Sequence, residues 1–204
     1  VKVFPVLTNG NESREVLDLL VKIGLLVSID NVASNYDYHT LYYITNVSIY
    51  NQLLTLVLKA IDAEYDINEE RVYSIHNRLG YVIESVVVCH TIDVAKKYNY
   101  KVCFYHDKRH REIDMIIKKQ NNCEDILDLH ESYSFFEIKF SEDKDAIERR
   151  LNWLSDEELL LQENAKVTKR AVIYMGSEDV EQNKVLYISA LNYVKDVKKY
   201  LCNF

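Results

Sequence analysis

Apolar residues recur at helical spacing near the start of the chain. In ESREVLDLLVKIGLLV, residues 12–27, Val16, Leu19, Leu20 and Ile23 fall three and four apart, which gives a helix one apolar face. Gly24 stands where that helix should end, because a C-cap position takes positive φ. VSID then reads as a short strand, NVASNYDYH as a polar connection, and TLYYIT (40–45) as an aromatic strand. A helix with a strand hairpin behind it is how a winged helix-turn-helix ends, and other small α+β units share the pattern. Residues 47–61 predict a second apolar helix, and the polar AEYDINEERVY (63–73) reads as a break. Two parts follow: a winged-helix-like unit over 1–62 and a second domain over 63–204.

The second part changes character. Residues 78–97 predict a long helix, and YKVCFYH (100–106), REIDMIIKK (111–119) and SFFEIKF (134–140) predict three strands. DKDAIERRLNWL (143–154) has helical spacing through Ile147, Leu151 and Leu154, and 156–164 extends it or forms a separate helix. KRAVIYMG (169–176) and KVLYISA (184–190) are two more strands, and LNYVKDVKKYL (191–201) is a closing helix. Helix, three strands, helix, two strands, helix is the order of an α/β or α+β sheet flanked by helices.

Composition narrows the function classes. The net charge is −7, which argues against a protein that coats nucleic acid nonspecifically and leaves room for a local basic groove. The four cysteines form no CxxC pair and no disulfide framework, so a reducing, cytoplasmic setting is the simpler reading. No apolar run approaches the ~20 residues of a membrane helix. The chain opens on Val1 rather than Met, which leaves open a preceding portion.

Three carboxylates and a lysine sit in apolar frames. In SFFEIKF, Phe136, Ile138 and Phe140 share one strand face while Phe135, Glu137 and Lys139 share the other. In REIDMII, Asp114 lies opposite Ile113, Met115 and Ile117. In YVIESVVVC, Glu84 is embedded in an otherwise apolar helix segment. Buried isolated charges are costly, so each needs a partner, an edge or a cleft. Taken singly, Glu137 and Lys139 fit a solvated ion pair, Asp114 a strand end, and Glu84 a contact with a residue such as Arg109. Taken together, their order along helix, strand and next strand lets a hairpin and a packed helix gather them.

That order, Glu84, Asp114, then Glu137-Ile138-Lys139, resembles the PD-(D/E)XK nuclease superfamily. The wider frame LGYVIESVV, RHREIDMIIKK and SFFEIKFS resembles the C-terminal winged-helix and nuclease-like half of prokaryotic AAA-type ATPases. The resemblance implies a restriction-endonuclease-like mixed sheet. It implies Mg²⁺ or Mn²⁺ held by Asp114, Glu137 and the backbone carbonyl of Ile138. Lys139 would orient or help deprotonate water, and Glu84 would bind a second metal or a metal-bound water. It also implies a nucleic-acid substrate and an ATPase domain, N-terminal in the parent chain or separately encoded. No Pro stands in the segment directly before Asp114, and no GxxxxGK[ST] loop occurs, so these residues hold no ATP site.

The basic run at Lys108, Arg109 and Arg111 is a candidate nucleic-acid contact, with a solvated turn as the alternative; Lys166, Lys169 and Arg170 form a second. Cys103, His106 and His110 have tolerable zinc spacing but no evident fourth ligand. No GxSxG motif supports a serine nucleophile. Two function classes result: a metal-dependent nuclease, or a catalytically inactive DNA- or protein-binding module that keeps the nuclease fold as scaffold.

Overall fold

The computed structural model of the chain describes residues 10–32, 40–46, 69–106, 112–119, 131–151 and 165–201. Among them are helices α1 (Gly10–Lys22), α2 (Glu69–Lys97), α3 (Lys144–Arg150), α4 (Ala190–Lys195) and α5 (Val197–Leu201). The strands are β1 (Leu26–Asn31), β2 (Thr40–Ile44), β3 (Tyr100–His106), β4 (Glu112–Lys119), β5 (Glu131–Lys139), β6 (Ala165–Tyr174), β7 (Val180–Gln182) and β8 (Val185–Ser189). They form one mixed sheet in the order β2-β1-β3-β4-β5-β6-β8-β7. The α/β class expected from the sequence is the one observed.

The chain divides into two compact units, Val1–Ser28 with Tyr42–Cys89, and Ile29–Leu41 with His90–Phe204. In the first, α1 ends as its apolar spacing requires. Gly24 adopts φ 77° and its N–H donates to the Val21 carbonyl, a conformation that costs glycine least. The Thr45 hydroxyl and amide then donate to the carbonyls of Gly24 and Leu25. The segment 63–73 is not wholly a break, since α2 begins at Glu69. Glu and Arg are good helix formers, so a polar stretch can open a helix that an apolar pattern does not reveal. The helix expected over 47–61 lies outside the described residues, as does 156–164.

The second unit carries the main core. β3, β4 and β5 pair antiparallel, whereas β5–β6 and β6–β8 pair parallel. From Tyr133 to Ile138 every β5 residue is buried, as expected for a central strand covered on both faces. One face is built from Cys103, Tyr105, Ile116, Phe135, Val172 and Tyr187, with Ile147 and Leu151 from the α3 region packed on it. On the other, Phe136 meets Tyr193 edge-on, with ring centroids 5.9 Å apart. The helix expected over 143–154 is described only to Arg150, with Asp143 as its N-cap accepting from the Ala146 amide at 2.9 Å.

Three features depart from simple periodicity. Phe104 of β3 faces two residues of β4, Asp114 and Met115, because Cys103 pairs with Ile116 and Tyr105 with Ile113. This bulge moves Ile113 into the core cluster of Ile116, off the face expected for it beside Met115 and Ile117. Strand β7 was not expected. It pairs with β8 through a turn in which Asn183 and Lys184 both have positive φ, 51° and 63°, as a two-residue hairpin of this hand needs. The expected closing helix is two, because the Asp196 side chain accepts from the Lys199 amide and so starts a new helix where α4 stops.

Candidate functional site

The β4–β5 ladder ends at Met115 and Phe136, and one step further the register sets Asp114 against Glu137. There the Asp114 side chain takes over from the backbone: its Oδ2 accepts the Ile138 amide at 2.7 Å. A carboxylate in place of a carbonyl completes the hydrogen bonding of the strand and brings a charge into the sheet. The adjacent bulge re-aims this position, a placement that bulges often serve beside functional sites. β5 then supplies Glu137 and Lys139, two residues apart and therefore on one face.

Lys139 holds the group together. Its Nζ lies 2.6 Å from Glu137 Oε2 and 3.1 Å from Asp114 Oδ2. Glu137 is 2% exposed, and its other oxygen, Oε1, is buried with no hydrogen-bond partner. Burial pushes the Glu137 carboxyl well above its ordinary range, and the nearby Asp114 charge adds to this, against the pull of Lys139. Burial works against the Lys139 ammonium, but Asp114 and then Glu137 outweigh it and hold its affinity for a proton above the usual value. Two carboxylates thus share one cation, and one oxygen remains unsatisfied.

Of the residues singled out from sequence, Asp114, Glu137 and Lys139 come together. Glu84 belongs to the other compact unit, where its Oε1 accepts from the buried Tyr43 hydroxyl at 2.7 Å. Lys108, Arg109 and Arg111 lie outside the described residues, and so does His110. Lys169 donates to the Tyr200 carbonyl at 2.7 Å. Arg170, paired with Phe135 across the β5–β6 ladder, keeps a buried Nε with no hydrogen-bond partner. Cys103 packs in the core, and His106 Nδ1 lies 3.9 Å from Glu112.

Sequence reasoning did not single out Asp179. This loop carboxylate accepts from the Tyr200 hydroxyl at 2.6 Å, the Ser189 amide at 3.0 Å and the Asn192 side chain at 3.1 Å. Its frame, GSEDVEQN, is polar apart from Val180, so little contrast with neighbours marks it.

Among the described residues, no three His, Cys, Asp or Glu side chains are gathered to hold a metal ion. A pair of carboxylates is still compatible with Mg²⁺, which usually keeps several waters and binds through one or two carboxylates. The unsatisfied Glu137 Oε1 is an oxygen of the kind such a hard cation prefers.

A mixed α/β protein with eight strands among its described residues and an acid–acid–lysine cluster built on the buried Glu137 is the class that these observations define. The model of the domain of unknown function DUF4143 matches residues 79–193, more than half of the chain, and the chain belongs to that family. The domain is commonly found at the C-terminus of AAA-ATPase-like proteins. No curated protein and no solved structure matches the chain. Among the described residues, no helix is long and apolar enough to cross a membrane.

Proposed function

We propose that the second unit is a restriction-endonuclease-like domain of the PD-(D/E)XK type, acting as a divalent-metal-dependent phosphodiesterase on nucleic acid. The observation that carries this reading is one ammonium bridging the buried Glu137 and the half-buried Asp114 carboxylates while Glu137 Oε1 has no hydrogen-bond partner. The element order supports it too. A helix, three antiparallel strands, a helix and a parallel strand run in sequence from α2 to β6.

Asp114, Glu137 and the Ile138 carbonyl would hold Mg²⁺ or Mn²⁺, which supplies Lewis acidity toward a phosphoryl oxygen and toward an attacking water. The residues of the chain do the rest. Lys139 neutralises charge that develops on the phosphate and orients water by hydrogen bonding. Asp114 is fixed by the Ile138 amide, so its free oxygen has a set direction. Packing around Glu137 excludes bulk water and strengthens each of these interactions. The proposal rests on the three strand residues of the second unit. α1 with β1 and β2 supports a winged-helix-like reading of the first part, and the family's usual place behind an ATPase supports an ATPase partner in a cytoplasmic protein.

The test is to incubate the chain with single- and double-stranded DNA and RNA and Mg²⁺ or Mn²⁺, alongside Lys139→Ala and Asp114→Ala. The expected result is metal-dependent cutting that falls by about 100-fold or more in each variant, a size typical for loss of a group stabilising developing charge. Cutting that survives both substitutions, or that needs no metal, rules the reading out. The net charge of −7 favours a second reading, an inactive binding module, for which nucleic acid or a partner protein is bound and never cut.

A further inference from the structure

Among the described residues, lysines gather at one end of the sheet in the second unit although the chain as a whole is acidic. α2 finishes with Lys96 and Lys97, and Tyr98 follows, its amide donating to the Ala95 carbonyl. Asn99, at φ 58°, turns the chain back at once into Tyr100 and Lys101 of β3. The antiparallel register then sets Lys118 opposite Lys101 and Lys119 opposite Tyr100. From α5, Lys198 Nζ lies over the Tyr98 ring, 5.2 Å from its centroid. Segments far apart in sequence therefore place six lysines and two tyrosines at one end of one unit.

Helix-dipole compensation accounts for Lys96 and Lys97 in the last turn of α2. It does not account for lysines on β3 and β4, where like charges directly opposite each other cost stability. Asp30, 3.1 Å from Lys101, offsets part of that cost. Lys96, Lys97, Lys119 and Lys198 are exposed, and Tyr98 is 39% exposed among them. Exposed ammonium groups around a partly exposed aromatic ring suit a polymer with regularly spaced phosphates and stackable bases.

We infer that this end of the sheet is a nucleic-acid docking surface, with Lys96, Lys97, Lys119 and Lys198 meeting backbone phosphates and Tyr98 stacking on a base. The inference rests on the nucleic-acid reading of the acid–lysine site for its choice of polyanion. Its test runs without metal, so that the two fail separately.

Binding of a fluorescein-labelled duplex and a single-stranded oligonucleotide to the chain is measured by anisotropy in EDTA over a salt series. Three proteins are compared: wild type; Lys96→Gln with Lys97→Gln, Lys119→Gln and Lys198→Gln; and a control, Arg149→Gln with Arg150→Gln, exposed on α3. The lysine variant is expected to lose about tenfold or more in affinity at low salt. The slope of log K against log salt flattens by roughly 0.9 for each lysine that meets a duplex phosphate. The control should bind as wild type does. A separate Tyr98→Ala variant should lose affinity for the single strand with its salt slope unchanged, which separates stacking from charge. Thermal unfolding checks that each variant is folded; if the quadruple variant is not, the pairs Lys96→Gln/Lys97→Gln and Lys119→Gln/Lys198→Gln replace it. No binding by wild type, equal losses in the control, or lysine-dependent binding of phosphatidylserine vesicles that an oligonucleotide does not compete away would each overturn the inference. Binding through these lysines without cutting in Mg²⁺ would uphold it and end the hydrolytic reading alone.

Discussion

Glu137 and Asp179 are two carboxylates of one unit with opposite surroundings. Asp179 accepts from Tyr200, Ser189 and Asn192, with Lys199 Nζ 3.7 Å away. Burial pushes its pKa up, but these donors outweigh it and bring the pKa below the ordinary value. Glu137 is more deeply buried, faces Asp114, shares the Lys139 ammonium with it, and leaves Oε1 unsatisfied, so its pKa moves up. A fully satisfied carboxylate ties a loop to two helices and strengthens the fold. A partly satisfied one costs stability, and such costs are kept mostly where function needs them.

The largest stability effect should come from Lys139→Ala, which leaves Asp114 and Glu137 together without a cation. Removing one partner of a buried pair costs about 3–5 kcal/mol, and because Lys139 is 35% exposed the loss should be nearer 2–3 kcal/mol. Denaturant unfolding at neutral pH measures it. If the site binds metal, Mn²⁺ should recover part of the loss. A variant as stable as wild type would mean that the two carboxylates do not strain each other.

Asp179→Asn should cost about 1–3 kcal/mol at neutral pH, since the amide nitrogen faces donors that need an acceptor. The folded pKa lies below the unfolded one, so the charge stabilises above the unfolded value, near 3.9. That contribution disappears as pH falls through the folded value. The gap between wild type and variant should therefore shrink in acid, a trend that urea midpoints over a pH series would reveal or refute.

Gly176→Ala should follow, at about 1–2 kcal/mol. A Cβ there would lie 2.1 Å from the Tyr174 ring, whose hydroxyl donates to the Glu178 carbonyl and so resists displacement. Thermal melts should show a lower midpoint; none would mean that the ring moves aside freely.

Glu137→Gln should have the smallest effect on stability, within about 1 kcal/mol, because it loses an ion pair and a repulsion together. Glu137 has a raised folded pKa, so its ionisation costs stability above its ordinary range, and lowering the pH through the raised value removes that cost. The glutamine variant should therefore gain on wild type as pH rises. Asp179→Asn instead loses ground on the same axis until its own contribution is complete. Parallel behaviour of the two variants in pH-dependent unfolding would erase the distinction between them.

Strand periodicity reads the order and type of most elements, because a half-buried strand or helix must repeat its apolar residues. It placed Glu137 and Lys139 on one face, since side chains alternate on any strand. It also marked Asp114 and Glu84 as charges in apolar frames. It could not place the bulge at Asp114, which depends on how β3 and β4 come into register. It missed β7 and the division of the last helix, where positive-φ residues and a capping carboxylate, rather than apolar spacing, decide the backbone.

The sequence alone determined most of the strands and helices that the structure describes, where α1 stops, and that four polar groups needed partners, because these follow from local sterics and from the cost of burying charge. Tertiary structure decided who those partners are. Pairing of β4 with β5 put one lysine between two carboxylates, the first unit gave Glu84 to Tyr43, and the reversal at Asn99 with the β3–β4 register and α5 packing gathered lysines from four elements. Contacts between residues distant in the chain are fixed by register and packing, which no local pattern encodes.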